Sequence, residues 1–114
     1  MSDPTPTLAE VLAAKDAAYA RWQAADAAFI ETNREADELR AKVQSLALVC
    51  GDPKRNEEER ARALEELPSV LDRARAAHSR AVAAKQERED ANKANTEAAH
   101  RWQGATHVPY FDGR

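Results

Sequence analysis

The chain has 114 residues and a formal net charge of −3, which allows one domain and argues against a protein held to nucleic acid by bulk charge. Ala accounts for 26 of the 49 apolar residues, so the composition excludes a sizeable globular core. Ala, Arg, Glu and Lys all favour helix, and we therefore expect long helices with a thin core rather than a random coil.

Residues 1–6, MSDPTP, are predicted to form a non-helical arm because they hold two prolines and no apolar run. They have neither the basic start nor the apolar segment of a secretory signal peptide. No stretch of the sequence approaches the 18 apolar residues of a membrane span. We therefore expect a protein of the cytoplasm or of a virion, with no membrane partner.

The first helix is predicted over residues 7–50. Thr7 can cap its start, and Glu10 completes a capping box. Apolar or small residues then recur in a three–four alternation that is typical of a coiled-coil seam and is interrupted at Lys15 and Thr32. The seam of this helix consists of Leu8, Val11, Ala18, Trp22, Ala25, Phe29, Ala36, Leu39, Val43, Leu46 and Cys50.

Residues 51–67 are predicted to connect the two long helices. Gly51 is a natural helix end, and Pro53 cannot continue a helix. Asn56 and Glu59 predict a second N-terminal cap, followed by a short helix at about 57–66. Pro68 then breaks or kinks the chain, or equally serves as the first residue of the last helix.

The last long helix is predicted over residues 68–104, ending at Gly104. Its seam is an unbroken three–four alternation that is mostly Ala, so this helix alone has little to bury. The seam residues are Leu67, Val70, Ala74, Ala77, Ala81, Ala84, Arg88, Ala91, Asn95, Ala98, Trp102 and Ala105.

The two seams complement each other if the chain folds back on itself. Residues 84–98, rich in Ala, then lie beside residues 18–32, where large side chains are concentrated, and small residues let helix axes approach closely. Residues 7–49 carry a net charge of −2 and residues 69–103 one of +2, which also favours pairing. The predicted fold class is all-α, a long antiparallel helical hairpin with a coiled-coil-like Ala-rich seam, a short connecting helix and an extended C-terminal tail.

Four aromatic residues are expected to anchor this thin seam: Tyr19, Trp22, Phe29 and Trp102. In an antiparallel hairpin Trp102 lies near the open end, within reach of Leu8, Leu12 and Tyr19, and Trp22 lies about two turns further in. We expect both tryptophans to be buried.

The tail, residues 105–114, carries two of the six aromatic residues of the chain. A solubilising disordered tail is not built in this way. Val108, Tyr110 and Phe111, stiffened by Pro109, are predicted to bind a partner, with a turn following them and Arg114 as a polar clamp. The alternative left open is that the tail folds back on its own helices near Trp102.

No pattern in the sequence predicts catalysis, a cofactor or a metal ion. There is no Gly-rich phosphate loop, Cys50 is the only cysteine, and Glu97 with His100 lacks the second Glu-x-x-His motif that a di-iron bundle needs. We therefore expect a protein that is not an enzyme and carries no cofactor.

The function that we expect is that of a structural or adaptor protein within a larger assembly. The partner is another protein or a second copy of the chain, and nucleic acid is not expected. High Ala and Arg content, small size and adhesive termini are common in virion and assembly components of phages. The alternative is a small regulatory or inhibitory module that docks a helix face on a protein or nucleic-acid complex, for which Glu35, Asp37 and Glu38 offer an acidic face.

Overall fold

A computed structural model describes residues 5–111 and Gly113. It contains two α-helices, α1 over Leu8–Gly51 and α2 over Glu57–Ala105, joined by residues 52–56. No described residue lies in a strand. The all-α helical hairpin is therefore confirmed, while most of the predicted arm, Asp112 and Arg114 lie outside the described residues.

The start of α1 is capped by Thr7, as predicted, and Thr7 and Glu10 are paired through their side chains. The backbone N–H of Glu10 donates to the Thr7 hydroxyl at 3.1 Å, and that hydroxyl lies 3.2 Å from the Glu10 carboxylate. The side chain thus satisfies one of the backbone donors that the first turn of a helix leaves free.

The start of α2 repeats this arrangement with an amide. The backbone N–H of Glu59 donates to the side-chain oxygen of Asn56 at 2.8 Å, and the Asn56 amide donates to the Glu59 carboxylate at 3.3 Å. Just before it, the backbone N–H of Lys54 donates to the Asp52 carboxylate at 2.9 Å. The connection is therefore built from local side-chain hydrogen bonds that favour turns and helix starts.

The connector does not contain a separate short helix. Residues 57–66 form the first turns of α2, which passes through Pro68 without a break, so the predicted boundary at 67–68 is wrong. A proline in a helix removes one hydrogen bond to the carbonyl four residues earlier. That carbonyl belongs to Leu64, and both residues are exposed, so water can replace the missing donor. Ala63 and Val70, on either side, are buried and hold the helix in place.

The chain divides into two compact units, each with a part of both helices. The connector unit comprises Ala27–Gln86. The tail unit comprises the described residues up to Asp26 together with those from Glu87 onward.

The connector unit contains a small hydrophobic core between the helices. Its buried members are Ala36, Leu39, Val70, Ala77 and Ala81, with Val43, Leu46 and Ala74 packed against them. Ion pairs flank this core, since Glu35 binds Arg80 at 2.9 Å and Lys42 binds Glu66 at 3.1 Å. Because later residues of α1 pair with earlier residues of α2, the helices of this unit are antiparallel.

The fully buried side chains of the tail unit are smaller. Its buried hydrophobic residues are Ala25, Ala91 and Ala98. Arg21 binds Glu87 at 2.6 Å, and Arg88 binds Asp26 at 2.8 Å. These ion pairs are partly exposed, so each contributes only about 0.2–1 kcal/mol, but they favour one register.

The predicted seams are confirmed almost residue by residue. Every seam position of α1 except Leu8, and every one of α2 except Ala105, is buried or half-buried. The two interruptions also face inward, as Lys15 and Thr32 are half-buried. The Thr32 hydroxyl donates to the carbonyl of Ala28 at 2.9 Å, which satisfies the polar group without leaving the helix.

Candidate docking site

The tail begins where α2 ends, one residue beyond the predicted stop. Gly104 lies inside the last turn, and the helix ends at Ala105. The backbone N–H and the hydroxyl of Thr106 then donate to the carbonyl of Trp102 at 3.0 Å and 2.8 Å. The last carbonyls of α2 are thus partly satisfied by the first residue of the tail.

The apolar side chains of the tail are almost fully exposed. Val108 is 82% exposed, Tyr110 is 90% and Phe111 is 80%. In the structure these side chains therefore do not pack on the helices of their own chain, contrary to the fold-back alternative. Gly113 has a φ of 79°, a left-handed conformation that glycine adopts readily in turns. The predicted clamp residue Arg114 lies outside the described residues.

A second exposed apolar surface lies on α1 in the same unit. It consists of Leu8, Leu12 and Tyr19, which are 55%, 39% and 48% exposed. At 3.6 residues per turn, these positions project within about 40° of one another, beside the buried seam. We call these three residues the apolar stripe.

The aromatic anchors are less buried than the sequence predicts. Trp22, Phe29 and Trp102 are half-buried, and Tyr19 is exposed. The rings of Tyr19 and Trp22 stack with centroids 6.1 Å apart and planes at 25°, and Gln23 donates to the Tyr19 hydroxyl at 3.2 Å. In a pair of helices, each helix covers only one narrow side of the other. A side chain as large as Trp therefore extends beyond the seam.

The start of α1 and the end of α2 lie side by side in the tail unit. A cleft of about 230 Å³ lies between them, lined by Pro6, Glu10, Val11, Ala14, Ala98 and Arg101. Arg101 is only one turn before the end of α2. The tail and the apolar stripe are therefore at the same end of this unit.

The connector unit has a larger, open cleft of about 510 Å³. Its floor is apolar, with Val43, Leu71 and Ala74, and its rim carries Arg40, Arg75, His78 and Ser79. The Arg40 guanidinium is already bound to Asp37 at 2.8 Å. None of the side chains that the sequence predicts to bind a partner lines this cleft.

The acidic face that the sequence offers for a regulatory module is neutralised by arginines. Glu35 binds Arg80, Asp37 binds Arg40, and Glu38 lies 3.7 Å from Arg34. Arg34 also donates to Glu31 at 2.6 Å. This hydrogen bond and the charges of Glu31 and Glu38 raise the pKa of the Arg34 guanidinium. The helix face therefore presents ion pairs rather than a uniform negative charge.

Within residues 5–111 and Gly113, no group of three or more His, Cys, Asp or Glu side chains is placed to hold a metal ion. In the same residues, neither helix combines the length and apolar character that crossing a membrane requires.

No protein-family model, curated protein or solved structure matches the chain. The candidate docking site consists of the exposed apolar tail and the exposed apolar stripe at the same end of the tail unit.

The sequence predicted the tail but not the stripe. The sequence pattern places Leu8 in the seam and predicts that Leu12 and Tyr19 lie near Trp102. The spacing of these three residues indicates the stripe, because residues four or seven positions apart lie on nearly the same side of a helix. The stripe lies beside the seam, where the Ala-rich partner helix is too narrow to cover it.

Proposed function

We propose that this chain is a non-enzymatic structural or adaptor protein, and that its C-terminal tail is the element by which it joins a larger assembly. The observation that carries the proposal is the exposure of Val108, Tyr110 and Phe111, each at least 80% exposed beyond the end of α2. Aromatic side chains concentrate at the energetic centres of protein interfaces. Pro109 restricts the free tail, which reduces the conformational entropy that docking costs.

The thin core supports the same proposal. The buried residues of the tail unit that the structure describes are alanines, and the largest fully buried side chain of the described chain is Val70. Such a hairpin gains little from its own packing relative to the entropy of ordering two long helices. Association would supply apolar burial that the hairpin lacks. A phage virion or assembly component fits this composition and size.

The test compares the full chain with a variant lacking residues 106–114. Far-UV circular dichroism should be nearly unchanged, because the deletion removes no helical residue. Sedimentation velocity measures self-association, and the immobilised chain is used to capture binding proteins from a lysate of its source organism. We expect the deletion to abolish association in at least one of these measurements.

A matched control separates specific docking from nonspecific association through exposed apolar side chains. Leu48 in the connector unit is 74% exposed, so Leu48→Ser removes an exposed apolar side chain from a different surface. This variant should associate like the full chain. If the tail deletion leaves both self-association and capture unchanged, the tail is not the docking element and the proposal fails.

A further inference from the structure

We propose that the tail of one copy packs on the apolar stripe of a second copy, and that the exchange is reciprocal, which produces a closed two-fold dimer. The inference rests on the proposed function in one respect, namely that the tail is a docking element. It goes further because it names the surface that receives the tail, formed by Leu8, Leu12 and Tyr19.

Both surfaces are exposed within one unit of one chain. The three tail side chains are 80–90% exposed, and the stripe residues are 39–55% exposed. The tail therefore does not cover the stripe of its own chain. A two-fold axis beside the tail unit allows two copies to cover both surfaces at once, because each copy contributes one tail and one stripe to a self-complementary interface.

The apolar segment of the tail is shorter than the stripe. From Leu8 to Tyr19 the helix rises about 16 Å, at 1.5 Å per residue. From Val108 to Phe111 an extended chain spans about 10 Å, at up to about 3.3 Å per residue. The tail segment is thus short enough to lie within the stripe. Because successive side chains of an extended chain point to opposite sides, the backbone must turn between Tyr110 and Phe111 for all three apolar side chains to face the stripe.

The area of contact decides between one docking event and two. Two aromatic rings and a valine bury roughly 400 Å² when they are covered, and the stripe, which is already about half covered, loses roughly 250 Å². One docked tail therefore buries about 650 Å² in total, which is the size of a weak lattice contact. Two reciprocal tails bury about 1,300 Å², which lies within the range of stable interfaces. The closed dimer is for this reason favoured over a single docked tail.

The experiment measures the mass of the purified full chain by light scattering coupled to gel filtration over a series of concentrations. We expect a dimer, with twice the mass of the chain. Leu12→Glu in the stripe and Phe111→Lys in the tail should each weaken dimerisation at least roughly tenfold. Leu64→Glu, an exposed leucine of the connector unit, is the matched control and should dimerise normally.

Mixing the two variants provides a test that misfolding cannot imitate. In a heterodimer of Leu12→Glu and Phe111→Lys, one docking contact is unchanged. The other brings the new glutamate and the new lysine together. The mixture should therefore dimerise more strongly than either variant alone, while circular dichroism shows equal helicity for all samples.

The outcomes also separate this inference from the proposed function. A monomeric full chain, or a Leu12→Glu variant that dimerises normally, overturns the inference. If tail deletion still abolishes capture of another protein in that case, the proposed function stands. If tail deletion affects neither dimerisation nor capture, both proposals fall.

Discussion

The Nε atom of Arg60 donates a hydrogen bond of 3.1 Å to the carbonyl oxygen of Cys50, which links the first turn of α2 to the last turn of α1. This carbonyl is one of the four at the helix end that have no partner within the helix. The guanidinium also places positive charge at the negative end of the α1 dipole. A single side chain therefore ties the two helices together at the connector.

We expect Arg60→Ala to lower the free energy of unfolding by about 1–2 kcal/mol, because it removes a charge-assisted hydrogen bond to a partly buried group. Urea denaturation followed by circular dichroism measures the change. Arg62→Ala is the control, since Arg62 is exposed and pairs with Glu58 on the same helix. Its effect should be within about 0.5 kcal/mol. Equal effects for the two variants would contradict this role for Arg60.

Because the seam is rich in Ala, the effect of a larger side chain on stability should depend strongly on its position. Ala77 is 1% exposed in the core of the connector unit, whereas its neighbour Ala76 is exposed. Ala77→Leu should destabilise the protein by about 1–3 kcal/mol, because overpacking forces the helices apart. Ala76→Leu should be nearly neutral in the same denaturation experiment. A neutral Ala77→Leu would show that the helices are not closely packed at this position.

Pro68 offers a substitution that should stabilise the protein. The helix runs through it, so Pro68→Ala restores a backbone hydrogen bond and removes a residue that is unfavourable in helix interiors. We expect a gain of about 1–3 kcal/mol in the free energy of unfolding. Ser69→Ala, at the adjacent exposed position, should gain only a few tenths of a kcal/mol. A loss of stability in Pro68→Ala would mean that the proline does not sit in a regular helix.

Trp102 is half-buried, and this partial burial limits how much it contributes to the free energy of unfolding. Complete burial would make Trp102→Ala cost about 3–5 kcal/mol, and partial burial should reduce the cost to about 1–2 kcal/mol. The thermal unfolding midpoint and urea titrations of the variant measure this loss. Gln103→Ala, at an exposed position beside it, serves as the control and should leave the midpoint unchanged. A loss of 4 kcal/mol or more, on the order of full burial, would contradict the half-buried position.

Much of the hairpin could be predicted from the sequence because its signals are local. Thr7 with Glu10, and Asn56 with Glu59, determine where the helices start through contacts three residues apart. The seams follow from periodicity alone, and the structure places nearly all of their members inward. Small residues opposite large ones indicated an antiparallel pair, which the ion pairs of the connector unit confirm.

The features that sequence reasoning missed depend on three-dimensional surroundings. A proline usually ends a helix, and only the exposure of Leu64 and Pro68, between buried Ala63 and Val70, shows why this one does not. The burial of Trp22 and Trp102 was overestimated because periodicity gives the direction of a side chain but not the depth of the groove that receives it. The contact of Arg60 with Cys50 depends on the path of the connector, which no spacing rule specifies.

The buried side chains differ in size between the two units. This difference implies that the rate of amide hydrogen exchange varies along the helices. The connector unit buries Leu39 and Val70, whereas the buried side chains described in the tail unit are Ala25, Ala91 and Ala98. Apart from the half-buried Trp22 and Trp102, opening the tail unit exposes mainly alanines, so its amides should exchange faster than those around Val70. The end of the hairpin that carries the docking tail is thus the end that opens most often, and a bound partner should slow exchange there first.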